Sequence, residues 1–155
     1  MKHLLLIALV ALAGCTVDNS ESLHDETETR VGAYGVTLLP SQDIYVSFDS
    51  MVRFYAETMA CMGMTAPGPT IQYVSFQDDF NGAYGAPWGG YISTGLVFVN
   101  TDSLGLGFQR DADIDQQILK HEYIHHILDL NTGDKDVSHS SIMFARCGQG
   151  VNTSN

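Results

Sequence analysis

The stretch DADIDQQILKHEYIHHILDL, residues 111–130, carries the strongest structural signal in this chain of 155 residues. Its first residues are acidic, which favours the N-terminal end of a helix because the helix dipole is positive there. Asp113 followed by Gln116 resembles a capping box. These features predict a helix from about Asp111 to Leu130.

Two histidines and a glutamate occupy fixed offsets in this helix. Four residues turn a helix by about 400°, so His121 and His125 lie on one face, one turn apart, where both can bind one metal ion. Ile118 and Leu128 fall near the same face, so we expect the imidazoles to point inward, where a polar group needs a partner. Glu122 lies about 100° further round, beside the pair, as a general base that does not ligate the metal should.

A catalytic zinc usually takes three protein ligands and a water, so a third ligand is needed. Residues 131–133 are expected to end the helix and turn the chain back, which brings Asp136 and His139 near the metal. His139 is the predicted third ligand because imidazole suits zinc, and Asp136 is the alternative. Asp129 lies too far along the axis to share a metal with His121, so we expect it to accept a hydrogen bond from a ligating histidine.

His121-Glu122-Tyr123-Ile124-His125 is an H-E-x-x-H sequence and resembles the zinc-binding helix of zincin metallopeptidases. Ser141-Ile142-Met143 is similar to the turn that places a methionine under the zinc in matrixin-like metzincins. The long interval to His139 resembles SprT-like peptidases. Leu128 and Asn131 stand where metzincins have a glycine and a third histidine, so this is not a standard metzincin. The resemblance implies zinc-dependent hydrolysis of a peptide or protein substrate by a zinc-activated water, with Glu122 as general base.

The N-terminus has the features of an export signal. The apolar run at residues 4–13 follows Lys2 and is too short to span a bilayer, but it has the length of a signal-peptide core. Leu-Ala-Gly-Cys at residues 12–15 resembles the bacterial lipobox, whose cysteine is lipidated. We therefore expect a signal peptide at residues 1–14 and a lipid anchor on Cys15, in the outer membrane or at the cell surface.

Charge and composition limit the remaining classes of function. A formal net charge of -11 and the lack of a Lys/Arg run argue against binding to nucleic acid. Residues 15–35 are acidic and poor in apolar side chains, so they are predicted to be a linker. Residues 36–155 are predicted to form one zincin-like metallopeptidase domain, and their oligomeric state is open.

The cysteine count agrees with export. With Cys15 assigned to the lipid, Cys61 and Cys147 remain as a pair in an oxidising compartment. We predict a disulfide that closes a loop of about 85 residues, which stabilises a small domain substantially. The alternative is two buried free thiols.

Hydrophobic patterning predicts an α+β fold in which a small mixed or antiparallel sheet packs on the H-E-x-x-H helix. The glycine-rich stretch at 81–90 is expected to be a loop or a hairpin tip. The predicted elements before residue 111 are a strand at 44–48, a helix from 49 to about 62, and strands at 71–76 and 91–100.

Two other functions are open at this stage. A non-catalytic zinc-binding envelope lipoprotein needs the histidines but has no use for Glu122. A structural envelope lipoprotein needs no metal. Substitution of Glu122 by alanine separates the first of these from a peptidase. A peptidase should keep its zinc and lose turnover, whereas a zinc-binding lipoprotein has no turnover to lose.

Overall fold

A computed structural model describes residues 23–75, 88–102 and 110–148. The predicted signal peptide, Cys15, the start of the linker and residues 81–87 of the predicted loop lie outside these ranges. No helix in the described ranges is long and apolar enough to cross a bilayer. The elements in chain order are β1 (His24–Glu26), β2 (Arg30–Val31), a 3-10 turn (Ala33–Gly35), β3 (Thr37–Leu38), β4 (Ser41–Ile44), α1 (Phe48–Met62), β5 (Thr70–Val74), β6 (Gly89–Ile92), β7 (Leu96–Asn100), α2 (Ala112–Thr132) and α3 (Ile142–Cys147).

The main sheet has five strands in the order β2-β3-β5-β7-β6. Its three central strands are parallel, and an antiparallel strand flanks them on each side. β1 and β4 form a separate antiparallel pair. The predicted α+β class with a small mixed sheet is therefore confirmed.

The hydrophobic core lies between the main sheet and the helices. β5 and β7 alternate along their length, with Ile71, Val97 and Val99 fully buried. α2 contacts α1, β6 and β7, so the predicted packing of this helix on the sheet is present. The fully buried apolar and aromatic side chains of the two long helices are Met51, Tyr55, Leu119, Tyr123, Ile124 and Ile127.

The strand predicted at 44–48 is wrong in its boundaries. β4 ends at Ile44, and α1 begins at Phe48 with Ser47 as its N-cap. The Ser47 side chain accepts a hydrogen bond from the Ser50 backbone N–H at 3.2 Å. Val46 and Phe48 are buried at this corner, so their apolar alternation reflects burial rather than an extended strand.

The strand predicted at 91–100 is two strands. β6 and β7 form an antiparallel hairpin whose turn contains Gly95 at φ 85°, a conformation that favours glycine. The Gly95 N–H donates to the Ile92 carbonyl at 2.9 Å. β6 could not be predicted from the sequence as a separate strand because it begins with two glycines, which are depleted in strands.

Part of the segment predicted as a linker belongs to the fold. His24 pairs with Ile44 across β1 and β4, and Arg30 pairs with Leu38 across β2 and β3. These short polar strands cannot fold alone, but an existing sheet edge supplies partners for their backbone.

α2 has the predicted extent but not the predicted cap. Asp111 is the N-cap, and its carboxylate accepts from the Ile114 N–H at 2.9 Å, so the proposed capping box from Asp113 to Gln116 is wrong. The helix ends at Thr132, where Gly133 takes a left-handed conformation at φ 74°. The 111–130 pattern thus gave the helix to within two residues at each end.

The predicted disulfide is present and joins the ends of two helices. Cys61 in the last turn of α1 is bonded to Cys147 at the end of α3, with 5.8 Å between their Cα atoms. The crosslink therefore fixes α3 against α1, next to the segment that follows His139.

Candidate metal centre

Three histidine nitrogens meet at one point beside α2. The His139 Nε2 lies 3.0 Å from the His121 Nε2 and 3.1 Å from the His125 Nε2. One ligand atom from each of the three rings lies within 4.8 Å of the others. Nitrogens bound to one tetrahedral zinc at about 2.0–2.1 Å lie about 3.3 Å apart, so this spacing fits a single metal ion.

The first two ligands come from the regular part of the fold. His121 and His125 lie one helical turn apart on α2, as predicted, and their ring centroids are 5.0 Å apart. His125 is buried at 8% exposure. The interior position of α2 fixes both rings, because the helix is covered by α1 and by the sheet.

The third ligand comes from an irregular segment, residues 133–141, which we call the ligand loop. His139 lies in it at φ 55° and Asp136 at φ 50°, both in the left-handed region that non-glycine residues rarely adopt. The backbone N–H of His139 donates to the Asp136 carbonyl at 2.9 Å. The loop therefore holds His139 in a conformation that needs support from its surroundings.

The Asp136 carboxylate supplies that support. One of its oxygens accepts from the Ser138 hydroxyl at 3.0 Å, the Ser140 hydroxyl at 2.8 Å and the Ser140 N–H at 3.0 Å. The other accepts from the Ser141 N–H. These donors hold the pKa of Asp136 at about 2, mainly through the Ser140 hydroxyl. Asp136, the alternative third ligand of the sequence analysis, instead organises the loop that carries His139.

The ligand loop also orients His125. The Nδ1–H of His125 donates to the backbone carbonyl of Lys135. A neutral imidazole that carries its proton on Nδ1 has a lone pair on Nε2, and that lone pair is the one turned toward the other two rings. The sequence analysis assigned this orienting role to Asp129, which is wrong, because the Asp129 carboxylate accepts from the Tyr91 hydroxyl at 2.7 Å instead.

An aromatic ring forms the floor of the site. The Phe144 ring lies 4.9 Å from His121, 4.6 Å from His125 and 4.8 Å from His139, centroid to centroid. The resemblance of residues 141–143 to the metzincin turn predicts Met143 in this position. Phe144, one residue further along α3, is the side chain that contacts all three imidazoles, and nothing in the short pattern distinguished the two.

Burial favours the neutral form of His121 and of His125. Desolvation, followed by the charges of the two neighbouring histidines, lowers the pKa of His121 to about 4. Desolvation also lowers the pKa of His125. A metal ligand must offer an unprotonated nitrogen, so these rings are ready to bind at neutral pH. His126 is buried too, but its Nε2 donates to the Pro67 carbonyl at 2.8 Å, in agreement with its exclusion from the ligand set.

Glu122 lies beside the three histidines in a cavity of about 520 Å³. Its side chain is 6% exposed, and desolvation raises the pKa of its carboxyl group to about 8. The walls of the cavity come from α2, β6 and the ligand loop, and they include Trp88, Ile118, Lys135 and Val137.

β6 lies close above α2 because it begins with glycine. A Cβ atom at Gly89 would lie 2.5 Å from Ile118 Cγ2 and 3.5 Å from Glu122 Cγ. A Cβ atom at Gly90 would meet the Phe98 ring at 2.3 Å. A side chain at Gly89 would push the strand away from α2, and one at Gly90 would displace the Phe98 ring, so the glycines allow β6 to pack closely here.

No family model, curated protein or solved structure matches the chain. The three histidines can hold a metal ion, and Glu122 is the one carboxylate among the described residues that line the same cavity.

Proposed function

We propose that this chain is a zinc-dependent peptidase of the zincin type. His121, His125 and His139 would hold the zinc, and Glu122 would act as general base. The observation that carries the proposal is the meeting of three Nε2 atoms and one buried carboxylate in a single cavity. Histidines with a purely structural role do not need this arrangement, because each ring could find a hydrogen-bond partner of its own.

The donor set favours zinc over other metals. Three neutral imidazoles suit zinc in a catalytic site, where a fourth position stays open for water or substrate, whereas calcium and magnesium prefer oxygen donors. Zinc, when bound here, would supply Lewis-acid polarisation of the scissile carbonyl and lower the pKa of a water. The Lys135 carbonyl orients His125 for this task, and the Phe144 ring packs against all three imidazoles.

Glu122 would move the proton. Desolvation places its pKa near neutrality, and a nearby cation would lower that pKa by favouring the charged form. The ionised carboxylate would take a proton from the attacking water and deliver it to the leaving amine as the peptide bond breaks.

The substrate would lie along β6. This strand ends the five-stranded sheet as described, and its residues Gly89, Gly90 and Tyr91 line the cavity. An extended peptide can add to such an edge through backbone hydrogen bonds, which are independent of side-chain identity.

The test is metal content and turnover measured together. Wild type prepared without chelator should contain about one zinc per chain and cleave peptides from a mixed library. Glu122→Gln should keep the zinc and lose at least about 100-fold in turnover, because general base catalysis contributes that much or more. His139→Ala should lose the zinc.

Equal turnover in Glu122→Gln and wild type would refute the peptidase. Zinc binding without turnover in wild type would favour the non-catalytic zinc-binding lipoprotein. Absence of zinc from purified wild type, together with unchanged stability in chelator, would favour the structural lipoprotein.

We also propose that the protein is exported and anchored in the bacterial envelope by a lipid on Cys15. The disulfide between Cys61 and Cys147 supports export, because disulfides persist in oxidising compartments. Fractionation of cells should find the wild-type chain in the membrane fraction. Cys15→Ser should no longer incorporate radiolabelled fatty acid, and incorporation that persists in this variant would refute the anchor.

A further inference from the structure

Lys135 is the one basic residue among the described residues that line the cavity. Its backbone is tied to the metal centre, because its carbonyl accepts the Nδ1–H of His125. Its side chain runs in another direction, and the ammonium lies 3.4 Å from the Ser93 hydroxyl in the turn between β6 and β7. The charge thus lies between the ligand loop and the turn that follows β6, beside a cavity that Lys135 helps to line.

Three of the other basic side chains in the described ranges have carboxylate partners, whereas Arg53 and Arg146 have none within 4.0 Å. Arg110 pairs with Asp115 at 2.6 Å, Lys120 with Glu57 at 2.8 Å, and Arg30 with Glu26 at 2.8 Å. Within those ranges, no carboxylate lies within 4.0 Å of the Lys135 ammonium. In a chain with a formal charge of -11, a cation beside the cavity without an acidic partner is available for a ligand.

We propose that Lys135 makes the site selective for peptides that place a carboxylate beside the scissile bond. This inference rests on the proposed peptidase function and names its substrate class. The ammonium would donate a charge-assisted hydrogen bond to that carboxylate, and the Ser93 hydroxyl is close enough to share it.

The chemistry of lysine defines what is recognised. An ammonium on a flexible stem is a point charge that does not require the planar, two-point geometry of arginine. The ammonium can donate to the side-chain carboxylate of Asp or Glu and to the terminal carboxylate of a peptide equally well. The experiment therefore separates these two sources of the same group.

The assay uses matched fluorogenic peptides that share one cleavable core. One series places Glu, Gln or Lys at each of the two positions on either side of the scissile bond. A second series carries a free or an amidated C-terminus. Zinc-loaded wild type should cleave one Glu peptide about 10-fold better in kcat/KM than its Gln counterpart, which is the lower range for a hydrogen bond to a charged group.

Two variants test whether the preference belongs to Lys135. Lys135→Gln should cleave the Glu and Gln peptides at equal rates, and Lys135→Glu should prefer the Lys peptide. Zinc content should stay at the wild-type level in both, because the contact with His125 is made by the backbone. Arg53→Gln removes an exposed positive charge from α1, away from the cavity, and should keep the wild-type preference.

Each outcome has one meaning. A preference that follows the free C-terminus and disappears on amidation assigns Lys135 to a terminal carboxylate, and a preference within the Glu series assigns it to a side chain. Turnover with equal rates across both series, or a preference that survives in Lys135→Gln, overturns the inference and leaves the peptidase intact. No turnover of any peptide by zinc-loaded wild type overturns both.

Discussion

Helix α2 and the ligand loop each supply part of the metal centre, but they are held in different ways. α2 places His121 and His125 on one face by helical repeat, and its other residues build the core. The ligand loop positions His139 with a hydrogen-bonded carboxylate at Asp136 and two left-handed residues. Damage to α2 should therefore appear first as lost stability, whereas damage to the loop should appear as lost metal affinity.

Removal of the disulfide should have the largest effect and should disturb both regions. The crosslink spans 86 residues, and the chain-entropy treatment of such a loop gives about 4 to 5 kcal/mol. We expect Cys61→Ser combined with Cys147→Ser to lose this much unfolding free energy in urea denaturation. Metal affinity should fall too, because α3 carries the Phe144 floor. An unchanged denaturation midpoint would contradict the prediction.

Arg110→Met should damage the start of α2 without damaging the metal centre. Arg110 makes two hydrogen bonds to the buried Asp115 and lies between the rings of Tyr45 and Tyr73, 5.0 Å from each. Loss of one partner of a buried pair costs about 3 kcal/mol at pH 7. Zinc affinity measured by competition titration should stay at the wild-type level.

The same variant has a defined pH dependence. Burial raises the pKa of Asp115, and Arg110 offsets part of that rise. Without Arg110 the folded-state pKa rises further above the unfolded value of about 4, so the fold binds the proton more tightly. The loss of stability should therefore be smallest near pH 4 and grow as the pH increases through the folded-state pKa. Arg53→Met, an exposed control, should show no such trend.

Asp136→Asn should damage the metal centre without damaging the stability of the fold, the reverse of Arg110→Met. An amide keeps the volume of the carboxylate but cannot accept all four hydrogen bonds from Ser138, Ser140 and Ser141. Loss of a group that orients a ligand typically lowers metal affinity about 10- to 100-fold. We expect a drop of this size in zinc affinity with little change in metal-free stability. Asp113→Asn, on the exposed side of α2, should bind zinc like wild type.

Gly133→Ala should have the smallest effect. Gly133 lies where α2 ends and the ligand loop begins. Gly133 at φ 74° and Gly63 at φ 66° end α2 and α1, and a Cβ atom would meet nothing within 4 Å at either position. The cost is therefore the left-handed backbone alone, about 1 kcal/mol for each alanine variant. Thermal denaturation should give similar losses, and only Gly133→Ala should also weaken zinc binding.

The same contrast explains which parts could be predicted from the sequence. The α2 ligands and Glu122 follow from local rules, since spacing within a helix fixes which side chains share a face. His139 was identified by its chemistry and its distance along the chain, without knowledge of how the loop folds. Asp136 as loop organiser and Lys135 as orienting group depend on contacts between side chain and backbone, which leave no periodic signal.

The errors in the fold have similar causes. β6 is a strand because β7 and α2 make room for its backbone at Gly89 and Gly90, against the intrinsic preference of glycine. β1 and β2 exist because sheet edges accept them, although their own composition is that of a linker. Phe144, and not the predicted Met143, forms the floor, because the position at which α3 begins decides which side chain faces the histidines. Tertiary contacts decide each of these cases.

The disulfide also has a topological consequence. Cys61 and Cys147 close a covalent ring that contains β5, β6, β7, α2 and the ligand loop, and therefore every residue of the metal centre. A single backbone cut anywhere between the two cysteines leaves both fragments joined through the sulfur bridge. His139 and the α2 histidines would stay within one covalent molecule after such a nick.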